Sequence, residues 1–565
     1  MKAILLKFAV LLSAFQQCTS ALSIPDPNDG HRASIVEASS KLIRNVNRTY
    51  SVGDQTFVLN PGPEVSTEWM LYFEHLVKQA TALTATTNFN ASKVQTFLEQ
   101  RLPLEREEDF QQAYKELADT GMMPAPLALD SSDENFGAMR LSILGNNLKL
   151  VHAGEYAENL WDIPFPLFQD VCGEPSLAQT LYNHKLFVAD LSDYGELTDE
   201  AAKDNKYIPS VVGFFCNNDK KRQLLPLAIT LVDSSLTYTK ADSPGEWQLA
   251  KMAFHATEVN FQQMRHFVET HLISVPVQVE MMRSLATEHP IYALLDYHFF
   301  ADFGMEYFAR RELLSPGTPY DQVTGYGAIG SLRAVMREFE TTSIDLDLPT
   351  DLAAREMEFL PDYRLNRYGT KYYNAIKTFV RKYIQAYYPN EDAIQGDAEL
   401  QAWAARSSCL EHIHGFPSTI SSSDVLVRIL THFIFQNAFK HHFMNGLASW
   451  HSIAPPFHTP ALYNKPLPTE KGTEVNPFDY VVLSETVPKM AYLYSWFTRQ
   501  VPVNASALHF YEEEPFASEV VLAEPIQQFQ QSMNDMEQYV NFAEAQEMHP
   551  SDIFSPSSLP FYSFI

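Results

Sequence analysis

The chain has few cysteines, a deficit of positive charge and no long apolar run beyond its first residues, and each shortage removes a class of protein. Of 565 residues, 4 are cysteine. Cys18 lies in the apolar N-terminal stretch, while Cys172, Cys216 and Cys409 are spaced too widely for a disulfide scaffold or a zinc-ligand set. One bridge, Cys172 with Cys216, or buried free thiols in a large core would each account for them. Lysine and arginine number 41 against 69 acidic residues, a net charge of −28, with no basic run to follow a phosphate backbone. Nucleic acid is therefore not expected as a partner. No later segment approaches the roughly 20 uninterrupted apolar residues of a membrane span, so stable insertion is not expected either. No Ser-His-Asp set or carboxylate pair stands out.

What the chain does have is material for a core: 45% hydrophobic and 13% aromatic residues, enough for a large globular domain. Met1-Lys2 precede an apolar stretch from Ala3 to Phe15 and then small residues at Thr19, Ser20 and Ala21, the pattern of a secretory leader covering residues 1–21. Secretion to the outside of the cell is expected, and triplets at Asn47, Asn90 and Asn504 fit N-glycosylation. Residues 22–63 are polar and loop-rich and are expected to be irregular. From residue 64 to 565 a single domain is expected, since neither an internal repeat nor a long linker divides it.

Within that domain, helical periodicity is expected over 65–120, from Trp247 to Ala286 with a break at Pro276, from Tyr372 to Tyr388, and from Asp424 to Asn445. Ile376, Phe379, Tyr383 and Tyr387 lie on one predicted face. Short apolar runs at Leu186-Phe187-Val188, Val211 to Phe215 and Leu227 to Leu231 predict strands. A Pro-rich loop follows from Ala454 to Pro477, then further helices to about Met548 and an extended tail.

Two predicted helices carry candidate ligands. His441 and Asn445 stand one turn apart on one face and could share an ion; neutral imidazole suits borderline divalent metals, and an Asn oxygen is a weak ligand. A hydrogen-bonded pair or a solvated face is the other reading of that spacing, and His442 is an adjacent candidate. At the chain end, the α-carboxylate of Ile565 closes an apolar tail, Leu559 to Ile565, and can act as a ligand if that tail is buried beside these helices.

The order and spacing of Trp247-Gln-Leu-Ala-Lys251, His266, Thr270-His271, His289-Pro290-Ile291-Tyr292 and the pair His441 and Asn445 resemble the lipoxygenases. Phe136-Gly137 with Arg140-Leu141, Pro226 to Ile229, Asp397 to Trp403 and Pro468 to Gly472 carry the resemblance from about residue 130 to the end. It implies a mainly α, lipoxygenase-type helical catalytic domain with a few short strands, one non-haem metal and no N-terminal PLAT β-barrel. The matching ligand positions are His266, His441, Asn445 and Ile565. Counted from Trp247 and from His266, the other histidine position of the first helix falls on Gln262, while the distance to His289 sets His271 apart as a neighbouring non-ligand histidine. Gln262 is then either a weak amide ligand or a hydrogen-bonding residue in a protein that no longer holds metal. The short gap and the leader are similar to those of secreted fungal enzymes that use manganese, with iron as the alternative.

The implied activity is insertion of O2 into polyunsaturated fatty acids such as linoleate or linolenate, giving hydroperoxides. A metal-bound hydroxide takes a hydrogen atom from a bis-allylic methylene, and dioxygen adds to the resulting pentadienyl radical. No side-chain nucleophile or base is needed, which accounts for the missing triad. The second reading is a lipoxygenase-fold protein that binds lipid or a partner without oxidising it. From Leu313 to Tyr320 the chain departs from the family pattern and no residue is carried over. Arg265 is expected to point to solvent or into an ion pair, without a role at the site.

Overall fold

The computed structural model describes residues 22–26, 29–64, 90–142, 144–198, 206–300, 302–445, 452–497, 501–547 and 550–563. The leader, the predicted helix start at 65–89 and Ile565 lie outside the described residues.

Residues 22–63, expected to be irregular, hold a helix and a hairpin. Asp29 caps α1 (Gly30–Leu42) by accepting from the His31 and Arg32 amides. Strands β1 (Asn45–Val52) and β2 (Gln55–Pro63) pair antiparallel, and the Val52 to Gln55 register leaves a two-residue turn in which Gly53 takes φ of +62°. Gly-Asp at such a turn is the hairpin signal that the polar composition hid. Buried ion pairs then fasten the segment to the helical body, Arg32 to Glu399 at 2.6 Å and Arg48 to Glu306 at 2.8 Å.

The predicted strands are found within a five-stranded antiparallel sheet of order β3-β4-β6-β7-β8. Its members are β3 (Lys149–Leu150), β4 (Leu186–Leu191), β6 (Val211–Asn218), β7 (Gln223–Leu231) and β8 (Leu236–Tyr238), while β5 (Lys206–Tyr207) pairs with β9 (Leu462–Tyr463). Gly213 on β6 has a packing reason. A Cβ there would sit 2.4 Å from the Phe254 ring, so only glycine lets the long central helix lie against the strand. Cys216 on β6 is bonded to Cys172, which decides for a bridge over free thiols at these two positions, and Cys409 is free and exposed.

Helices make up most of the rest. α2 (Pro244–His266) starts earlier than predicted, at a capping box in which Ser243 and Glu246 satisfy each other's amides, with Pro244 at the first position. The expected break at Pro276 is displaced: a π-helical segment, Phe267–Leu272, follows α2 directly, and Pro276 lies inside α3 (Ile273–Ser284). Its missing N–H falls in the first turn after a ladder that the π segment has already interrupted. α4 (Gly327–Thr341) packs against this axis, and on α5 (Thr370–Tyr387) Ile376, Phe379 and Tyr383 are buried as predicted, with Tyr387 half-buried. The run from Asp424 to Asn445 is likewise divided into α6 (Ser423–Phe435), a second π segment, Gln436–Lys440, and α7 (His441–Asn445). α8 (Ala523–Glu544) precedes a C-terminal segment that folds into short 3₁₀ turns and packs inward, in place of the extended tail expected.

Candidate metal centre

Helix α2 is buried on every side, so each polar group on it must find a partner within the protein. Thr257 donates to the Pro209 carbonyl at 2.7 Å, and the Asn260 amide reaches the Pro460 carbonyl at 2.6 Å. The Gln262 amide donates to the carbonyl of Met444 on α7, while its oxygen accepts from Gln263 at 3.2 Å. Gln262 thus acts as a strut between the two helices that carry the candidate histidines.

At the end of α2 the π segment changes which residues share a face. Five residues along an α-helix leave position i+5 roughly 140° from position i. The wider π turn, bonded i to i+5, brings it back to the same side. His266 immediately precedes the Phe267–Leu272 segment and His271 lies near its end, and their rings meet at 5.6 Å between centroids. His441, which follows the second π segment, faces both, at 5.4 Å from His266 and 4.9 Å from His271.

The three histidines are buried, and one ring nitrogen from each lies within 4.8 Å of the others; among the described residues no other group of three His, Cys, Asp or Glu converges in this way. This corrects the expected arrangement. His271, set apart by counting along the chain, is in the cluster, and the position assigned to Gln262 need not supply a ligand. The counting followed motif distances along the chain, which do not register the π turn that brings His271 onto the face of His266.

The chemistry of the donors fits a metal ion. His266 donates its Nδ1–H to the Gln263 carbonyl at 2.8 Å, which leaves the lone pair on Nε2, and that atom is buried without a hydrogen-bond partner. His271 Nδ1 and both amide atoms of Asn445 are in the same condition among the described residues. Such atoms are costly unless something else satisfies them. Burial also holds His266 near pKa 4 and His271 well below the ordinary imidazole value, so both rings are neutral at physiological pH, as ligation requires. His442 faces away from the cluster centre and bonds at 2.9 Å to the carbonyl of Tyr562.

The chain's end is drawn toward this centre by buried polar groups from separate elements. His298 bonds to the Phe561 carbonyl at 2.6 Å, His442 to that of Tyr562, and Ser563 to the carboxyl of Asp302. These contacts hold the residues just before the chain end inside the protein, while Ile565 itself is not described.

A small apolar cavity of about 30 Å³ opens beside His266, His271 and Asn445. Met264, Phe267, Met305, Leu313, Leu314 and Tyr320 line it. The segment from Leu313 to Tyr320, where no residue could be assigned from sequence, therefore borders the site. Its apolar side chains gave no signal distinguishable from core.

Comparison with known proteins bears on the same region. The lipoxygenase family model matches residues 168–548. Among curated relatives, a manganese lipoxygenase of Fusarium oxysporum (strain Fo5176) is 29% identical over 358 residues, covering 60% of this chain and 57% of its own length. That of Pyricularia oryzae is 28% identical over 446 residues, 75% of this chain and 70% of its own. The polyunsaturated fatty acid lipoxygenase ALOX8 of Mus musculus is 28% identical over 308 residues, 52% and 45% of the two chains. The match thus spans little more than half the length of the first of these relatives. A solved manganese lipoxygenase superposes with a TM-score of 0.80 over 96% of this chain and 100% of the other at 22% identity, which establishes a shared fold.

Proposed function

Since this chain belongs to the lipoxygenase family, we propose that it is a metal-dependent dioxygenase that converts polyunsaturated fatty acids to hydroperoxides. The carrying observation is the convergence of buried His266, His271 and His441, the first two at the wall of an apolar cavity. His266, His271, His441 and Asn445, together with the α-carboxylate of Ile565, form the proposed ligand set. Manganese is the proposed metal, supported by the fungal relatives that bear its name, and iron is the alternative.

When bound, the metal supplies a one-electron acceptor that lets a hydrogen atom be removed from a bis-allylic methylene. The protein's contribution is binding, orientation and exclusion of water. His266 and His271 stay neutral because burial disfavours their charged form, so their lone pairs are available without competition from protons. Gln262 and the polar contacts of the tail fix the distance between ligand-bearing elements. Met305, Leu313 and Leu314 offer the acyl chain an apolar wall. Linoleate is the proposed test substrate.

We place the protein outside the cell. The apolar leader supports this, as does the Cys172–Cys216 bridge, which suits an oxidising compartment. Asn47, Asn90 and Asn504 are exposed, as glycan acceptors must be.

The test is elemental analysis of the purified chain, combined with the ultraviolet absorbance of conjugated diene on incubation with linoleic acid in air. Bound manganese or iron with diene formation is expected. Absence of both, after Mn²⁺ or Fe²⁺ has been added, would leave a lipid-binding protein of lipoxygenase fold in place of an enzyme.

A further inference from the structure

Arg265 and Lys440 immediately precede cluster histidines, His266 and His441, and neither points to solvent. Glu269, within the first π segment and between His266 and His271, binds both cations: Arg265 Nε lies 2.8 Å from its Oε1, and Lys440 Nζ lies 2.6 Å from its Oε2. Arg265 also reaches Glu338 on α4 at 3.4 Å, and Tyr194 donates to the other oxygen of Glu338 at 2.5 Å. The Glu269 side chain is 6% exposed and that of Lys440 10%. Burial alone would raise the Glu269 carboxyl, yet Lys440 and Arg265 hold it below its ordinary value.

The location gives this pair a task beyond neutralising charge. Glu269 belongs to Phe267–Leu272 and Lys440 to Gln436–Lys440, so the bridge joins the two π segments. In these segments the α-helical ladder is interrupted, and a small change of register would turn His271 or His441 off the common face. A short, buried, charge-assisted hydrogen bond has the directionality to prevent that. Further along the same two elements Gln262 bridges to Met444, so His266 and His441 lie in sequence between two cross-links of different chemistry.

We propose that Glu269 and Lys440, with Arg265 and Glu338 holding Glu269 in place, are positioning residues that set the spacing of His266, His271 and His441 for metal binding. The proposal rests on the reading of that cluster as a metal site. Its effect is read from the ion: removing the bridge lowers metal affinity by about tenfold or more, the size expected of groups that orient ligands without touching the ion.

The full-length chain, Glu269→Gln, Lys440→Met and the double variant are titrated separately with Co²⁺ and Mn²⁺. Stoichiometry, the Co²⁺ ligand-field spectrum, the Mn²⁺ EPR line width and the melting temperature of the metal-free protein are followed. Each single variant is expected to bind both ions at least about tenfold more weakly. In the double variant neither partner of the bridge is left as an unpaired buried charge, so the melting temperature recovers toward wild type. Its ion affinity stays low and its Co²⁺ spectrum stays shifted. A double variant that binds both ions as tightly as wild type, with an unchanged spectrum, overturns the proposal and leaves the bridge a contribution to folding only. Where a single variant fails to fold, the double variant decides. Wild-type protein that binds Co²⁺ and forms no diene with Mn²⁺ or Fe²⁺ defeats the dioxygenase reading and leaves the positioning role standing. Wild-type protein that binds neither ion defeats both.

Discussion

Helix α2 carries histidine at two levels. His255, in its middle, meets His458 edge to face at 4.9 Å, and close by, Arg140 and Glu258 form an ion pair at 2.7 Å with no exposure on either side chain. His266, at its end, meets His271 and His441. Both groups are buried, and burial keeps His255, His458, His266 and His271 neutral. They differ in backbone. His255 stands in continuous α-helix, where a second residue of α2 on its face is three or four positions away, and Glu258 there is taken by Arg140. His266 stands at a π turn, which adds a histidine from five positions on. Convergence of donors, set by helix register, is what makes the second group the proposed ligand set, whereas burial and histidine content are common to both.

The sharpest way to break this contrast is to remove one histidine from each level. His271→Ala is expected to lower metal affinity by more than about 100-fold, beyond the range of groups that only orient ligands, and to abolish diene formation. His255→Phe is expected to keep the wild-type metal content, at a cost in melting temperature. Metal analysis of the two variants checks both. A His271→Ala protein with full metal content would return the ligand role to Gln262 and defeat the three-histidine arrangement.

Gln262 offers a smaller and opposite test. Its amide satisfies the Met444 carbonyl in a dry interior, so Gln262→Ala leaves a buried acceptor unpaired and should cost about 1–3 kcal/mol of stability. Metal content should fall only as far as the two helices drift. Gln262→His removes the same strut, and no gain of metal is expected from it. Chemical denaturation of the metal-free variants with parallel metal analysis reads both effects. A rise in occupancy in Gln262→His would show that the position is a vacated ligand site.

How legible the molecule was follows from where its helices are regular. The α5 face from Ile376 to Tyr383 was readable because an unbroken helix repeats its contacts, and strands β4, β6 and β7 were readable because buried strands concentrate Val, Leu and Phe. His266, His441 and Asn445 were identifiable as candidates from motif spacing. His271 was misplaced because a π segment has no composition of its own: Phe267 to Leu272 has the residues of any buried helix. The hairpin at Gly53 was missed for a related reason, since a polar composition concealed a two-residue turn. Arg265, expected in an ion pair or in solvent, is in a pair with Glu269 four residues on, whereas Lys440 as the second partner of Glu269 emerges only from the packing of the two π segments.

Acid should bring the two levels together again, because every buried neutral histidine resists protonation whatever its role. Burial holds His298 and His458 near pKa 3 and His255 well below the ordinary imidazole value. In the unfolded chain the same groups take up protons near pH 6.5. Between about pH 6.5 and 3 the unfolded state therefore binds more protons than the folded one, and stability falls as pH falls. The contribution is fully present above pH 6.5 and is lost at up to about 1.4 kcal/mol per pH unit for each such histidine once pH is well below that value. Melting temperatures of metal-free protein measured from pH 7.5 down to pH 4.5 should decline steadily, and His458→Phe should flatten part of that decline. Added Mn²⁺ should raise the whole curve and raise it least at the acid end, where protons compete for His266, His271 and His441. A metal-induced shift independent of pH would mean that the ion binds without those imidazoles, and the contrast between the two levels of α2 would disappear with it.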